Sequence, residues 1–159
     1  MSDRSFIDRF VHTVDESASR MLALSDAAAS LPRAPGKWSR KEIVGHLIDS
    51  AVNNQARFVR AQLQDDLVFP GYDQEAWVRV QRYGNESWPA LVEAWRHANS
   101  RVAAIMRAAS DEDLERPRAR HNLDEIAFVA PASPRDATLG YFMRDYVAHL
   151  EHHLRQIFS

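Results

Sequence analysis

His149 and His153 lie one helical turn apart in the closing segment Tyr146-Val-Ala-His149-Leu-Glu-His152-His153-Leu-Arg-Gln156. Two imidazoles at i and i+4 of a helix can grip one metal ion. Their phase carries more than their number. Leu139, Phe142, Tyr146, His149, His153 and Ile157 fall on one stripe near the helical period, the side that such a helix buries. Unpartnered buried imidazoles are costly, so an inward pair coordinates an ion, hydrogen-bonds internally or lines a wet cavity. For a third nitrogen the leading candidate is His46, which shares a stripe with Ser50, Asn53 and Arg57 at offsets of four, seven and eleven. Its neighbours Leu47, Ala51 and Phe58 are packing residues, so this polar line is expected to face a cavity.

Three neutral imidazoles without an acidic ligand leave a bound ion its full double charge. Zn or Ni fits such a donor set first, and Fe, Co or Mn is also within its reach. A charge of that kind activates water, a thiol or a carbonyl. His152 competes with His153 for the second position, but His153 lies closer in angle to the Tyr146 and Phe142 line. Asp49, three residues after His46, and Gln156, three after His153, are each placed to accept a ring N–H, or are ordinary surface polar residues. Arg57 either orients an anionic group with its guanidinium fork or pairs with an acid on a neighbouring helix. Asn53 either hydrogen-bonds a substrate or packs. His12, His97 and His121 have no partners at useful spacing and read as structural or solvent-facing.

Other chemistries fail on their residues. A zincin needs glutamate directly after the first histidine, where this chain has Leu150. A ferritin-like di-iron site needs Glu-x-x-His on two helices, and the chain has none. No nucleophile elbow supports a serine triad. With no cysteine, thiolate ligands, disulfides and cysteine nucleophiles are excluded.

The elements that must position these histidines can be read from periodicity and punctuation. Phe6, Phe10, Val14, Met21 and Leu24 predict a first helix over 5–30, ended by Pro32 and the Pro35-Gly36 turn. Ser39-Arg-Lys-Glu42 is a capping box, with Trp38 and Ile43 as a hydrophobic staple, and opens a second helix running to about Leu63. Residues 65–86 form a long crossing connection with short turns of helix around Gln74 to Tyr83. Trp88, Leu91, Val92, Trp95, Val102, Ile105 and Met106 mark a third helix. A second long connection over 110–133 includes a short helix near Asp111 to Glu115, and Ile126 to Ala130 reads as loop packed on the bundle. Ser133-Pro134-Arg-Asp136 supplies a cap, a proline at the first helical position and an acid in the first turn, predicting a fourth helix from Pro134 to about Ile157. Gly140 should weaken its first turns slightly. The expected fold is all-α, a four-helix bundle with two long crossing connections, as one domain over residues 1–159. Trp88 and Trp95 belong to the core side of the third helix, and Trp77, near Tyr72 and Tyr83, is free to line a pocket mouth.

The chain has 159 residues, 45% of them hydrophobic, enough for a real core. A net charge of -2 with Lys and Arg dispersed argues against nucleic acid as a partner. No apolar run is long enough to span a bilayer and the N-terminus carries no signal core, so the expected location is the cytoplasm.

Lys37-Trp38-Ser39, then Glu42 to Ser50 with His46 at its centre, then Asn53, Arg57-Phe58 and the closing His149 to Gln156 together resemble the DinB-like (YfiT-like) superfamily over nearly the whole chain. The resemblance implies a four-helix bundle with crossed connections that binds a divalent metal through one histidine of the second helix and two at i, i+4 of the last. By position these are His46, His149 and His153. It also implies homodimers, and a small-molecule substrate. Some members are transferases using low-molecular-weight thiols such as mycothiol, bacillithiol or glutathione, one is a maleylpyruvate isomerase, and others are hydrolase-like. Arg155 stands where many members carry a glycine before the terminal glutamine, a departure that bears on Gln156. The readings that follow are a thiol-dependent transferase, a metal-dependent hydrolase with Asp49 or Asp145 as base, and a non-catalytic metal-binding or ligand-sensing bundle.

Overall fold

A computed structural model of the chain describes residues 2–159. Four long helices carry the architecture: α1 (Ser5–Leu22), α3 (Arg40–Ala61), α5 (Trp88–Ala108) and α8 (Leu139–Phe158). Short helices α2 (Asp26–Ser30), α4 (Gln74–Gln81), α6 (Asp111–Glu115) and α7 (Leu123–Ile126) lie in the connections. The described residues contain no β-strand, only isolated bridges pairing Pro32 with Ser39 and Leu67 with His121.

The capping box forms as expected: Ser39 Oγ accepts from the Glu42 amide and Glu42 Oε1 accepts from the Ser39 amide. Two other predicted boundaries are corrected. The first helix is not continuous over 5–30, because Ser25 turns extended and caps a new helix by accepting from the Ala28 amide. That break turns the carboxylate of Asp26 toward Lys41 Nζ, 2.9 Å away, and the Trp88 amide, 2.9 Å away, tying three helix starts together. The fourth helix does not start at Pro134. Pro134–Asp136 is a single 3-10 turn, and Thr138, accepting from the Tyr141 amide, caps α8. Gly140 is there for close approach, since a Cβ on it would stand 3.0 Å from the Leu114 carbonyl oxygen at the end of α6.

Side-chain contacts give the directions of the helices. Arg4, at the start of α1, reaches carbonyls at the end of α5, whereas Lys41 and Trp88, at the starts of α3 and α5, share Asp26. Arg40 donates to the Ile157 carbonyl, so α3 and α8 are antiparallel. Arg144 packs on Phe6 and Arg20 on Phe158, so α1 and α8 are parallel. The order is therefore up-down-down-up. Each of α3 and α1 packs against both α5 and α8, which places consecutive pairs α1/α3 and α5/α8 on the diagonals. Parallel α3 and α5 force residues 62–87 to travel back along the bundle, and residues 109–138 cross its end from corner to corner. The two connections are stitched together where the Leu67 amide donates to the Arg120 carbonyl and the Asn122 side chain bonds both backbone groups of Phe69.

The core is aromatic around α8. Phe58 meets Phe142 and Tyr146 edge-on, and Phe10 meets Tyr146 the same way. Trp88 and Trp95 are buried, as their spacing predicts. No helix among the described residues is long and apolar enough to cross a membrane.

Candidate metal centre

Antiparallel packing of α3 on α8 brings the second turn of one helix beside the last turns of the other, and three imidazoles meet there. One ring nitrogen from each of His46, His149 and His153 lies within 4.8 Å of the other two. Nε2 of His46 stands 3.3 Å from Nε2 of His149. Two nitrogens each about 2.0–2.1 Å from a tetrahedral ion stand roughly 3.3–3.4 Å apart. The His46–His149 spacing therefore fits two ligands of one divalent ion, with a His153 nitrogen within 4.8 Å of both. His46 is fully buried, while His149 and His153 are partly open to a cavity.

The protonation states suit the same use. Burial first, and then the neighbouring imidazoles, push His46 down to about 3 and His149 to about 4, so both rings are neutral with lone pairs available. His153 is also lowered by burial, against the opposing hydrogen bond from Gln156. Gln156 Oε1 lies 2.7 Å from His153 Nδ1. An amide oxygen only accepts, so the proton sits on Nδ1 and Nε2 is left as a free donor of electrons. The expected contact between Gln156 and His153 is present, with Arg155 exposed beside it.

Asp49 does something else. Its Oδ1 accepts from the Tyr83 hydroxyl at 2.6 Å and from Gln81 Nε2 at 2.7 Å, and neither bond leads to His46, whose Nδ1 is buried without a partner. Burial raises its pKa against those two bonds. Tyr83 can reach Asp49 only because residue 45 is glycine: a Cβ there would lie 2.0 Å from Tyr83 Cδ2. Trp38 covers the other side of His46, with ring centroids 5.1 Å apart. Neither brace is legible from the histidine spacing. The one local signal is a glycine in mid-helix, next to a candidate ligand, at a cost of about 1 kcal/mol relative to alanine.

A cavity of about 390 Å³ opens from His149 and His153 along the α3/α8 seam. Ser50, Asn54 and Arg57 of α3 line it, and Asn53 does not. Asn53 donates to the Asp49 carbonyl one turn back in its own helix, in keeping with the packing role that was one of its two readings. Among the described residues no acid pairs with Arg57, the alternative its sequence position offered. Arg57 donates to the Pro70 carbonyl at 2.9 Å and, more weakly, to Asn54 Oδ1 at 3.4 Å. Burial lowers its pKa from the ordinary arginine value. Tyr72 lies over it at 5.9 Å, and Trp77, half-exposed, packs on Tyr72 outside the cavity wall.

The loop after α7 closes the histidine end. Asp145 accepts from the Phe128 amide at 2.7 Å and the Val129 amide at 2.8 Å, and Tyr141 donates to the Val129 carbonyl. This clamp holds the Phe128 ring 5.5 Å from His149 and 5.3 Å from His152. His152 sits outside the trio, with Nε2 at 3.5 Å from Gln156 Nε2. His12 and His97 are exposed beside glutamates, and His121 accepts from the Leu123 amide, as expected of structural or solvent-facing residues.

Comparison with known proteins agrees with this arrangement. "Putative metal-dependent hydrolase YfiT" of Bacillus subtilis is 21% identical over 154 residues, covering 94% of this chain and 81% of that protein. "Putative metal-dependent hydrolase OB0782" of Oceanobacillus iheyensis is 28% identical over 126 residues, 78% of this chain and 65% of that one. A solved structure of Bacillus subtilis YfiT, described as "a probable metal-dependent hydrolase with an unusual four-helix bundle topology", superposes with a TM-score of 0.76 at 20% identity, over 99% of this chain and 87% of that one. The fold is shared, and the trio together with the relatives' names supports a divalent metal ion. A profile of the DinB superfamily matches residues 9–157, and the chain belongs to that superfamily.

Proposed function

We propose that residues 1–159 form one metal-dependent enzyme domain in which His46, His149 and His153 hold a divalent ion and a nucleophile beside them attacks an electrophilic carbon of a small molecule. The observation that carries this is the gathering of three imidazoles, with ring nitrogens within 4.8 Å of one another, at the end of a cavity that His149 and His153 line. When bound, such an ion lowers the pKa of a coordinated water or thiol and polarises a carbonyl. The protein's own residues supply the setting. Gln156 keeps the His153 proton on Nδ1, Trp38 and Phe128 pack against the rings of His46 and His149, and Asp145 fixes the loop that carries Phe128.

Water as the nucleophile fits the names of the relatives. A low-molecular-weight thiol is favoured by a different observation: neither nearby carboxylate is disposed as a general base. Asp145 is committed to two backbone amides, and Asp49, held by Tyr83 and Gln81 through Oδ1, does not line the cavity. A thiol, with an ordinary pKa of about 8.5, needs only a modest downward shift and no base. Of the two we favour the thiol-dependent transferase. A homodimer formed in the cytoplasm is part of this reading, supported by the exposed Val52 and Val59 on α3 and Leu63 just after it. Sedimentation at the monomer mass of 18.2 kDa would remove the dimer.

The test is elemental analysis of untagged protein beside the His46→Ala/His149→Ala/His153→Ala variant, followed by turnover with the loaded ion. About one equivalent in the parent and none in the variant is expected. Consumption of glutathione with chlorodinitrobenzene would favour the transferase, and thiol-independent release of nitrophenol from nitrophenyl acetate the hydrolase. Failure of the parent to take up Zn, Ni, Fe, Co or Mn would sink both.

A further inference from the structure

The cavity carries a charge that the metal reading does not use. Arg57 is buried to 7% exposure, and no carboxylate among the described residues lies within ion-pair distance of it. Its hydrogen bonds, to the Pro70 carbonyl and to Asn54 Oδ1, use two of the five guanidinium N–H groups. The group nevertheless lines the cavity wall. Burying an unanswered cation costs several kcal/mol, so such a position is explained when a ligand supplies the anion.

The other charged groups facing the same space are Glu125 and Asp145. Both oxygens of Asp145 are engaged by the amides of Phe128 and Val129, which directs its charge to the loop and away from Arg57. Glu125 is exposed at the mouth. Two carboxylates against one guanidinium make the wall hostile to a dianion and acceptable to a single negative charge. The planar fork of arginine suits a carboxylate, which two parallel N–H groups can grip.

Position supplies the length. His149 meets His46 across the seam, and Arg57 is eleven residues further along α3, about 16 Å at 1.5 Å per residue. Between them the walls are the rings of Tyr72, Phe142 and Tyr146. From this we infer that the substrate is a small monocarboxylic acid, its carboxylate held by Arg57 and its apolar middle against these rings, with the electrophilic carbon at the histidine end of the cavity. The inference rests on reading this cavity as the active site, but the carboxylate end involves no metal ligand.

The experiment is calorimetric titration of metal-free protein with phenylbutanoate and with its uncharged amide, phenylbutanamide. These probes have the same shape and differ in the charge. Wild-type protein should bind the acid at least tenfold more tightly than the amide. Arg57→Gln should abolish that preference, and Arg57→Lys should keep part of it, with circular dichroism melts confirming that both fold. Equal binding of acid and amide by the wild type, or no binding of the acid at millimolar concentration, overturns the inference without any variant. A preference that survives in Arg57→Gln overturns it as well. Because the titration is done without metal, a failure of the metal reading would appear separately, as absent metal uptake with the acid preference intact.

Discussion

Arg118 and Arg57 are both buried arginines without a carboxylate in ion-pair reach, and they differ in where their donors end. Arg118 gives Nη1 to the carbonyls of Ala61 and Gln64 and Nη2 to that of Asp113, which closes off the end of α3. Only its Nε is left buried without a partner. Arg57 gives one strong bond to a carbonyl and keeps the remainder at a cavity. The histidine trio stands with Arg57 in this respect. Its ring nitrogens face one another and the cavity, and His46 Nδ1 finds nothing. Buried polarity that serves the fold is spent on backbone carbonyls at helix ends. Buried polarity that is left open along one seam marks where a ligand belongs.

The sharpest way to break this contrast is to remove the trio. The triple histidine-to-alanine variant should lose all bound metal, while metal-free melting stays at or above the wild-type temperature because three buried imidazoles disappear. A melt lowered as far as that of an Arg118 variant would put the trio with the structural group. Arg118→Ala is expected to do the reverse, costing roughly 3 kcal/mol in denaturant titration by stranding three carbonyls while metal stoichiometry holds. Gly45→Ala should follow at about 2 kcal/mol, since its methyl group must displace the Tyr83 ring; an unchanged midpoint would contradict that packing. Gln156→Ala should weaken metal binding about tenfold, by freeing the His153 tautomer, and leave unfolding nearly unchanged. Competition with a chromophoric chelator reads this directly.

The smallest effect concerns acid. The Trp88 amide, and then Lys41, lower the Asp26 pKa from its ordinary 3.8. A carboxylate with a depressed folded pKa adds stability above the unfolded value and loses it as pH falls through the folded one. The wild type should therefore lose part of its stability below about pH 4. Asp26→Asn should lose that part at neutral pH and show a flatter acid limb in melts taken across that range.

The histidines of α8 could be found from sequence because a helix repeats its faces, and both the pair and its apolar companions lie within one element. The stripe on α3 was legible only to within a side of the helix. At about 100° per residue, Asp49 and Asn53 fall on one flank of the His46 line, and Ser50 and Asn54 on the other. The connection carrying Gln81 and Tyr83 occupies the first flank and the cavity the second. Periodicity cannot say which flank is covered, and so cannot choose between Asn53, which bonds within its own helix, and Asn54, which lines the cavity. The loop that Asp145 clamps and the seat that Gly45 offers Tyr83 depend on contacts between distant segments, for which no local repeat exists.

The up-down-down-up order also has a consequence during synthesis. His46 and His149 are separated by 103 positions in the chain and meet only across the α3/α8 seam. A ribosome that has released the first three long helices has made one of the three imidazoles. Those helices can already pack, since α5 contacts both α1 and α3, but they present a groove where α8 belongs. Domains generally assemble from the N-terminal side as they emerge. On the proposed reading of the trio, loading of the ion is therefore a late event, coupled to docking of the final helix, and a chain interrupted before His149 would lack two of the three imidazoles.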